Sequence, residues 1–348
     1  MVGIMRIYEK MKPQREKVTG VGSALVDILA REDDSFLQRV GAIKGGMTYT
    51  EKDFIDQAVH LTTTPPQLVP GGSACNTVVG ISRLGGKSQF IGKCGRGPMG
   101  QLFRKGLERQ GVESMLFTSA SYTGRVLSIV TPDAQRSMLT YLGASAETRP
   151  DEISPECFQD AAIVHIEGYL LFNPDLILAV LNAAQQAGAV ISLDLASFNV
   201  VEEARGILPD LIRQYVDILI ANEDEAFAYT RSKSESDSLR ALSADANLAI
   251  LKLGARGSLV AHDGRFLSAK AKGDGQAIDT TGAGDLWASG FLYGLSKRLP
   301  LEQCMDLGSV CGYEVCQVMG ATIPDERWKA IHNYMEAQWP KNVLPAKS

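Results

Sequence analysis

The sequence has no uninterrupted apolar run of about 18 residues, the length that a membrane-spanning helix requires. Its first 17 residues are charged and lack the apolar stretch of a secretory signal, so export is not expected. Basic residues are not in excess, because 35 Lys and Arg stand against 40 Asp and Glu. These absences argue against a membrane protein and against a nucleic-acid-binding surface, and they predict a cytoplasmic location.

Metal-binding and redox motifs are also missing. The six cysteines are scattered without a C-x-x-C pair, and the four histidines show no ligand spacing. We therefore expect reduced, mostly buried cysteines and neither a zinc site nor a histidine nucleophile. The chain has no Gly-x-x-x-x-Gly-Lys-Ser/Thr sequence either, which disfavours a P-loop kinase.

What the sequence does contain is an α/β pattern without an obvious linker. Short β-rich runs at residues 162–166, 190–195 and 218–221 alternate with helical patterns at 176–187 and 207–215. Strands that are apolar throughout suit a mostly parallel sheet covered by helices on both faces. Ligands are expected at the carboxyl ends of such strands.

The strongest functional pattern is Asp-Thr-Thr-Gly-Ala-Gly-Asp at residues 279–285, followed by an amphipathic run at 286–295. Small residues at a helix start let an anion approach backbone N–H groups that have no partner within the helix. Asp285 could take a proton from an attacking hydroxyl while those groups hold developing negative charge. Taken alone, such a pattern is more often an ordinary glycine turn with an aspartate cap.

This heptapeptide resembles the C-terminal signature of the ribokinase family, the PfkB-type carbohydrate and nucleoside kinases. A second family element, a glycine pair followed by an asparagine and a helix, looks like Gly-Gly-Ser-Ala-Cys-Asn at residues 71–76. The resemblance extends from about residue 18 to about residue 324. Residues 137–144, 165–170 and 221–226 look most like the adenosine-kinase-like branch.

The resemblance implies a single ribokinase-like kinase domain over residues 16–340. Its fold would be a three-layer α/β domain with a mostly parallel central sheet and a small β-lid, formed by excursions at about 30–48 and 117–141. Lid closure would exclude water that otherwise competes as the nucleophile. Decorative surface loops are the alternative reading of these two segments.

The activity implied is transfer of a phosphoryl group from ATP to a primary hydroxyl of a ribonucleoside, such as adenosine, or of a furanose sugar. Asp285 would be the catalytic base, and Gly282, Ala283 and Gly284 would form the anion hole. The partner would be a small molecule, and the protein would be a monomer or a homodimer.

Acceptor binding is expected at Asp27, which resembles the family's sugar-binding aspartate. A carboxylate can accept hydrogen bonds from two vicinal hydroxyls and so reject analogues that lack them. Further acceptor contacts are assigned to Gly46, Gly71, Gly72 and Asn76. For Gly46 a simple turn is an equally good interpretation.

Asn222 and Glu225 look like the family's Asn-x-x-Glu element, which helps to hold hydrated Mg²⁺ and the phosphoryl group. An acidic helix start also compensates the helix dipole, and the two roles can coexist. Arg136 resembles the lid-side arginine of adenosine-kinase-like members, which neutralises charge on the γ-phosphate. A surface arginine is the alternative.

The remaining site residues follow from the resemblance as well. ATP is expected beside Lys252, Gly254 and Gly257, with its base against a helix at residues 307–319. Asp279 and Thr281 resemble the potassium loop of many relatives, which makes K⁺ a second candidate cofactor beside Mg²⁺.

One position departs from the family pattern, and two other functions stay open. Gly97 stands where relatives usually carry an aspartate, which puts the local loop and acceptor contacts in doubt; Arg96 and Gly97 could instead favour a negatively charged acceptor. A catalytically inactive sugar- or nucleotide-binding protein is the first alternative. A dinucleotide oxidoreductase is the second, disfavoured because the Gly-x-Gly-x-x-Gly at residues 95–100 lacks a convincing strand–turn–helix context.

Overall fold

The computed structural model describes residues 4–133 and 135–339. Its strands, β1 to β14 in chain order, are Lys17–Val21, Leu25–Arg31, Met47–Tyr49, Gln67–Gly71, Ser88–Gly95, Glu113–Ser119, Thr123–Val130, Arg136–Gly143, Ala161–Glu167, Val190–Asp194, Ile218–Asn222, Leu248–Lys252, Ser258–His262 and Arg265–Ala269. Its α-helices, α1 to α13, are Ile4–Lys10, Asp34–Arg39, Lys52–His60, Ser73–Arg83, Pro98–Arg109, Pro174–Gln186, Phe198–Glu203, Leu208–Tyr215, Glu223–Thr230, Glu235–Asp245, Ala283–Ser296, Leu301–Cys316 and Asp325–Gln338.

Nine strands form the large sheet, in the order β14-β13-β12-β11-β10-β9-β1-β5-β6. The seven strands from β12 to β6 pair in parallel, and β13 and β14 add an antiparallel edge. The expected strands and helices of residues 161–222 are confirmed by β9, α6, β10, α8 and β11. The predicted α/β fold with a mostly parallel sheet is therefore confirmed.

Helices cover both faces of the large sheet because successive strand residues are apolar and point in opposite directions. Within β9, Val164 packs into the cluster beneath α6 to α10, whereas its neighbour Ile163 packs beneath α11 to α13. A third cluster lies between the sheet and helices α4 and α5. None of the helices in the described ranges combines the length and the apolar character needed to cross a membrane.

Five further strands form a separate small sheet, in the order β3-β8-β7-β2-β4. The chain contributes to it from residues 25–71 and 123–143, and α2 and α3 pack on it around Phe36 and Ile55. The ranges expected from the sequence, 30–48 and 117–141, overlap these segments without matching their ends. Residues 117–119 belong to β6 of the large sheet, because β-propensity marks a strand but not the sheet that it joins.

Four neighbouring parallel strands end in polar residues at one edge of the large sheet. β9, β10, β11 and β12 end at Glu167, Asp194, Asn222 and Lys252. The small sheet stands at this edge, because the chain leaves β1 at Val21 and enters β2 at Leu25. The expected ligand edge is therefore the place where the two sheets meet.

Candidate active site

The turn before α11 has the geometry of an anion site. Gly282 caps the helix with φ +74°, and a Cβ there would lie 2.6 Å from Ala321 Cβ. Glycine is therefore required both by the left-handed backbone and by the lack of space. Ala283 and Gly284 open the helix: the Gly284 N–H is among those that have no partner within it, and the Ala283 N–H donates to the Thr280 carbonyl of the turn at 3.2 Å.

Asp285 lies in the first turn of α11 and is held by α4. Its carboxylate accepts hydrogen bonds from Ser73 Oγ at 2.8 Å and from Asn76 Nδ2 at 2.9 Å. Burial raises the pKa of Asp285, and the bonds from Asn76 and Ser73 oppose that rise. The two motifs recognised in the sequence thus meet in one hydrogen-bonded group, in which Asn76 contacts the expected base; its contact with the acceptor stays a prediction.

The glycine pair before α4 allows close approach to Asp27. A Cβ on Gly71 would lie 2.3 Å from Asp27 Cγ, and one on Gly72, whose φ is +99°, would lie 2.4 Å from the Ser23 carbonyl oxygen. Asp27 is buried on β2, and burial raises its pKa to about 7, with Arg136 opposing and Asp285 adding to the shift.

One cavity contains five acidic side chains and is called here the carboxylate cavity. It is lined by Asp27, Glu167, Asp194, Glu225 and Asp285, together with Ser73, Asn76, Arg136, Lys252 and the turn at residues 280–284. The small sheet closes its other side with the apolar residues Leu25, Met47, Val126, Met138 and Leu142. The structure therefore brings the expected acceptor residue and the expected base into the same space.

A second cavity, the apolar cavity, lies on the other side of the same turn. It is lined by Gly254, Ala255, Gly257, Ala271, Trp287, Ser309, Gly312 and Tyr313, among others. The expected location of the ATP base, beside residues 252–257 and the following helix, coincides with this cavity. Lys252, Thr280, Ala283 and Gly284 line both cavities, so the anion-site turn forms the boundary between them.

Lys252 is the basic side chain, among the described residues, that faces both cavities. Its Nζ lies 2.7 Å from Asp194 Oδ2, and a Cβ built on Gly284 would lie 3.0 Å from it. Burial acts to lower the pKa of Lys252, but the charges of Asp194 and Glu225 outweigh burial and raise it. A permanent positive charge therefore stands next to the anion-site N–H groups.

Asn222 and Glu225 form a reciprocal capping box at the start of α9. Asn222 Oδ1 accepts from the Glu225 N–H at 2.9 Å, and the Glu225 carboxylate accepts from the N–H and the Nδ2 of Asn222 at 2.8 and 2.7 Å. Burial, followed by the charge of Asp194, raises the pKa of Glu225 to about 7. The carboxylate thus caps the helix start, and Glu225 also lines the carboxylate cavity.

Hydrated Mg²⁺ fits these residues better than a metal held by protein ligands alone. Residues 4–133 and 135–339 contain no group of three or more His, Cys, Asp or Glu side chains arranged for a metal ion. Mg²⁺ usually keeps several waters and binds through one or two carboxylates plus phosphate oxygens. Glu225 and Asp194 line the same cavity and could hold the waters of an ion bound to phosphate.

Asp279 and Thr281 hold the anion-site turn in place. Asp279 Oδ1 accepts from the N–H and Oγ1 of Thr281 at 2.9 and 2.6 Å, and its Oδ2 accepts from the Gly320 N–H at 2.8 Å. Both carboxylate oxygens are therefore engaged: Oδ1 holds the turn itself, and Oδ2 joins it to Gly320. Their role at a K⁺ site stays a prediction.

Three glycines singled out in the sequence, Gly46, Gly71 and Gly97, are not among the residues that line either cavity. The Gly46 carbonyl accepts from the Met138 N–H at 2.8 Å, and it is the neighbouring Met47 that lines the carboxylate cavity. Gly97 caps α5 without a side-chain bond, and a Cβ there would have no atom within 4 Å. An aspartate at this position would have room to serve as a helix cap, and neither Arg96 nor Gly97 lines the carboxylate cavity.

Glu167 is the residue that sequence reasoning missed. It is 1% exposed, lines the carboxylate cavity and accepts from the N–H groups of Ser23 at 2.7 Å and Ala74 at 3.2 Å. Burial raises its pKa to about 7, and those two bonds oppose the rise. The available signal was its place at the end of a predicted strand, in the block 165–170 that resembles the adenosine-kinase-like branch.

Comparison with known proteins matches residues 43–328 to the model of the pfkB family carbohydrate kinases. Fructokinase-1 of Zea mays is 30% identical over 292 residues, which are 77% of this chain and 90% of the maize protein. The crystal structure of adenosine kinase from Sinorhizobium meliloti superimposes with a TM-score of 0.85 and 32% identity, covering 92% of this chain and 99% of that one. A "probable sugar kinase protein" from Rhizobium etli gives a TM-score of 0.86 at 32% identity, with the same coverage.

The same fold is found in adenosine kinase from Schistosoma mansoni in complex with 2-fluoroadenosine, with a TM-score of 0.80 at 20% identity and 89% of this chain covered. The family model spans most of the chain and two matched structures cover nearly all of it. The chain belongs to the pfkB family of carbohydrate kinases and is an ATP-dependent sugar or nucleoside kinase.

Proposed function

We propose that the protein transfers the γ-phosphoryl group of ATP to the primary hydroxyl of a ribonucleoside of the adenosine type. One observation carries the proposal: the anion-site turn separates a cavity rich in carboxylates from an apolar cavity, and Asp285 faces the carboxylate side. ATP in the apolar cavity would direct its phosphates at the turn. An acceptor held by Asp27 would meet them from the other side.

The chemistry follows from this arrangement. As the acceptor oxygen bonds to the γ-phosphorus, its proton passes to the Asp285 carboxylate, and the bond from that phosphorus to the bridging oxygen breaks to release ADP. The N–H groups at residues 282–284 and the Lys252 ammonium stabilise the negative charge of the transferring group. Mg²⁺ would supply further charge neutralisation on the phosphates, with Glu225 and Asp194 as the residues that hold its waters.

The wall opposite the large sheet supports a nucleoside over a free sugar. Leu25, Val126, Met138 and Leu142 on the small sheet line the cavity, and Tyr169 lies there as well. A furanose offers hydroxyls to Asp27 but little apolar surface to these side chains, whereas a nucleoside adds a flat base. An anionic acceptor is disfavoured, because the cavity holds five carboxylate side chains against two cations, Arg136 and Lys252, and Lys252 is already paired with Asp194.

The small sheet serves as the lid in this proposal, within a kinase domain of residues 16–340. It carries both Asp27 and Arg136, and its apolar residues face the acceptor space. Its closure over bound acceptor would exclude water, and it would bring Arg136 towards the γ-phosphate.

A free furanose is the second candidate acceptor, favoured by the fructokinases among the relatives. An inactive binding protein on the same fold is the candidate from another class. The surroundings of Asp285 argue against an inactive protein. A buried carboxylate whose pKa is raised, and which two side chains hold in place by hydrogen bonds, is typical of a catalytic acid or base.

The test is ADP release from MgATP with a panel of acceptors: adenosine, other ribonucleosides, ribose and fructose, each with and without K⁺. We expect the highest kcat/KM with a ribonucleoside. Preference for fructose would replace the nucleoside with a sugar, and acceptor-independent ADP release with every compound would contradict the proposal.

A further inference from the structure

One buried carboxylate stands where the chain passes between the two sheets. In the described residues the chain makes four such passages, at about residues 22–24, 72, 120–122 and 144. The last two are joined to each other: the Ala144 N–H donates to the Tyr122 carbonyl at 2.8 Å, and the exposed Glu147 carboxylate accepts from Ser119 Oγ. The first two both meet Glu167.

Each oxygen of Glu167 holds one of these passages. Oε1 accepts from the Ser23 N–H at 2.7 Å, in the link from β1 to β2, and Oε2 accepts from the Ala74 N–H at 3.2 Å, in the first turn of α4. Gly22 makes room for the carboxylate, since a Cβ there would lie 2.2 Å from Oε2. Two acceptor oxygens facing two N–H donors is an arrangement that a carboxylate satisfies and an amide does not.

The two segments so joined carry the two ends of the reaction. Ser23 leads directly into β2, which bears Asp27. Ala74 lies in the turn of α4 that bears Ser73 and Asn76, the hydrogen-bond donors to Asp285. The distance between the acceptor-binding carboxylate and the base is therefore set through backbone that Glu167 holds.

We propose that Glu167 is a positioning residue that fixes the lid strand bearing Asp27 relative to the helix that orients Asp285, through its bonds to the Ser23 and Ala74 N–H groups. The inference rests on the proposed function for the roles of Asp27 and Asp285. It assigns Glu167 no contact with the reacting atoms. Small errors in the alignment of acceptor and base reduce the rate strongly, so the effect of losing Glu167 appears in catalysis as well as in structure.

The primary variant is Glu167→Gln, which keeps the shape of the side chain but turns an NH₂ group towards one of the two N–H donors. We expect kcat/KM for adenosine to fall roughly 10–100-fold, through a lower kcat and a higher acceptor KM, while the KM for ATP changes less than about twofold. Gly22→Ala should reproduce this pattern from the other side of the contact, because its Cβ displaces the carboxylate.

The matched control is Asp217→Asn. Asp217 is also a buried carboxylate on the large sheet that accepts a backbone N–H, from Ile191 at 2.8 Å, and it pairs with Lys10. It lies at the opposite ends of the strands, before β11. This variant should lower the thermal midpoint of unfolding and leave the acceptor KM within about twofold.

Amide hydrogen exchange in the free protein tests the inference without any acceptor. In Glu167→Gln, amide exchange should accelerate at Ser23, at Ala74 and across residues 25–71, and it should stay unchanged at Ile191. In Asp217→Asn, exchange should accelerate at Ile191 and stay unchanged at Ser23, at Ala74 and across residues 25–71. Unaltered exchange at Ser23 and Ala74 would overturn the inference. If the wild-type enzyme phosphorylates no compound of the panel, the proposed function fails, but these exchange data still decide the role of Glu167.

A last comparison tests whether Glu167 acts through Asp27. We expect Glu167→Gln to reduce kcat/KM for adenosine several-fold less in the Asp27→Ala background than in the wild type, because the carboxylate that Glu167 places is then absent. If the loss has the same size in both backgrounds, Glu167 acts independently of Asp27 and the inference is wrong.

Discussion

The two ends of the active site handle buried charge in opposite ways. At the acceptor end, Asp27 and Glu167 are buried carboxylates without a salt bridge to any described residue, and burial raises the pKa of each to about 7. At the donor end, the Asp194 carboxylate pairs with Lys252 at 2.7 Å, and an apolar cavity opens beyond the anion-site turn. In the proposed function this difference is a division of labour: Asp27 keeps acceptor oxygens for the hydroxyls of the substrate, whereas Lys252, paired with Asp194, provides a cation for phosphate.

Asp285 joins the two ends, and its loss should have the largest effect. Asp285→Asn removes the base but keeps an acceptor oxygen for Ser73 or Asn76, so we expect turnover to fall roughly 10²–10⁴-fold with substrate binding largely intact. Steady-state kinetics together with equilibrium binding of ATP and of adenosine measures both quantities. Turnover within a few-fold of the wild type would refute the role of Asp285 as the base.

A variant at the acceptor end should lose activity only with acceptors that carry the hydroxyls bound there. Asp27→Ala should lower kcat/KM for adenosine more than tenfold, since each hydrogen bond to a charged group contributes roughly 1.5–3 kcal/mol. A deoxy analogue that lacks the bonded hydroxyl should lose most of this sensitivity. An equal loss for adenosine, 2′-deoxyadenosine and 3′-deoxyadenosine would show that Asp27 is structural.

Removing a buried carboxylate charge should stabilise the protein when the charge lies at the acceptor end and destabilise it when the charge lies at the donor end. The folded pKa of Asp27, about 7, exceeds its ordinary value of 3.8, so the stability from its neutral form is complete below that ordinary value and is lost as pH rises through about 7. Asp27→Asn should therefore raise the thermal midpoint at pH 8 and raise it less at pH 5.

Asp194→Asn is the matched variant at the donor end. It leaves the buried Lys252 without its partner and should destabilise the protein at pH 8, by roughly 3–5 kcal/mol if the charge stays buried. Thermal unfolding of both variants at the two pH values checks the comparison. A loss of stability in Asp27→Asn at pH 8 would contradict the account, in which the Asp27 carboxylate is buried without a cation paired to it.

The smallest effect is expected at Glu225. Its carboxylate accepts both of its described hydrogen bonds from Asn222, so Glu225→Gln should shift the Mg²⁺ response rather than abolish activity. We expect a higher Mg²⁺ concentration for half-maximal rate and an unchanged acceptor KM. A Mg²⁺ titration of the initial rate gives both values, and an unchanged Mg²⁺ response would remove Glu225 from the metal site.

Much of this arrangement was predictable because it depends on local backbone chemistry. Glycines mark the turn at residues 279–285 and the pair at 71–72, because the backbone there adopts conformations or makes close contacts that other residues do not allow. The parallel strands that end at Asp194, Asn222 and Lys252 were predictable from unbroken apolar runs.

What the sequence could not provide are the contacts between distant segments. The bonds from Ser73 and Asn76 to Asp285 span more than 200 residues, and Glu167 acts through the backbone of Ser23 and Ala74, which leaves no side-chain pattern to recognise. The extent of the small sheet was missed for the same reason, because pairing between strands is a tertiary property.

The division of labour between the two ends is tested most directly by measuring both KM values in two variants, Asp27→Ala and Lys252→Met. We expect a crossed pattern: Asp27→Ala raises the KM for adenosine and leaves that for ATP within about twofold, whereas Lys252→Met raises the KM for ATP roughly tenfold and leaves that for adenosine nearly unchanged. The double variant Asp194→Asn/Lys252→Met, which removes both buried charges, controls for the unpaired carboxylate. If either single variant raises both KM values to a similar extent, the two ends do not act separately and the account is contradicted.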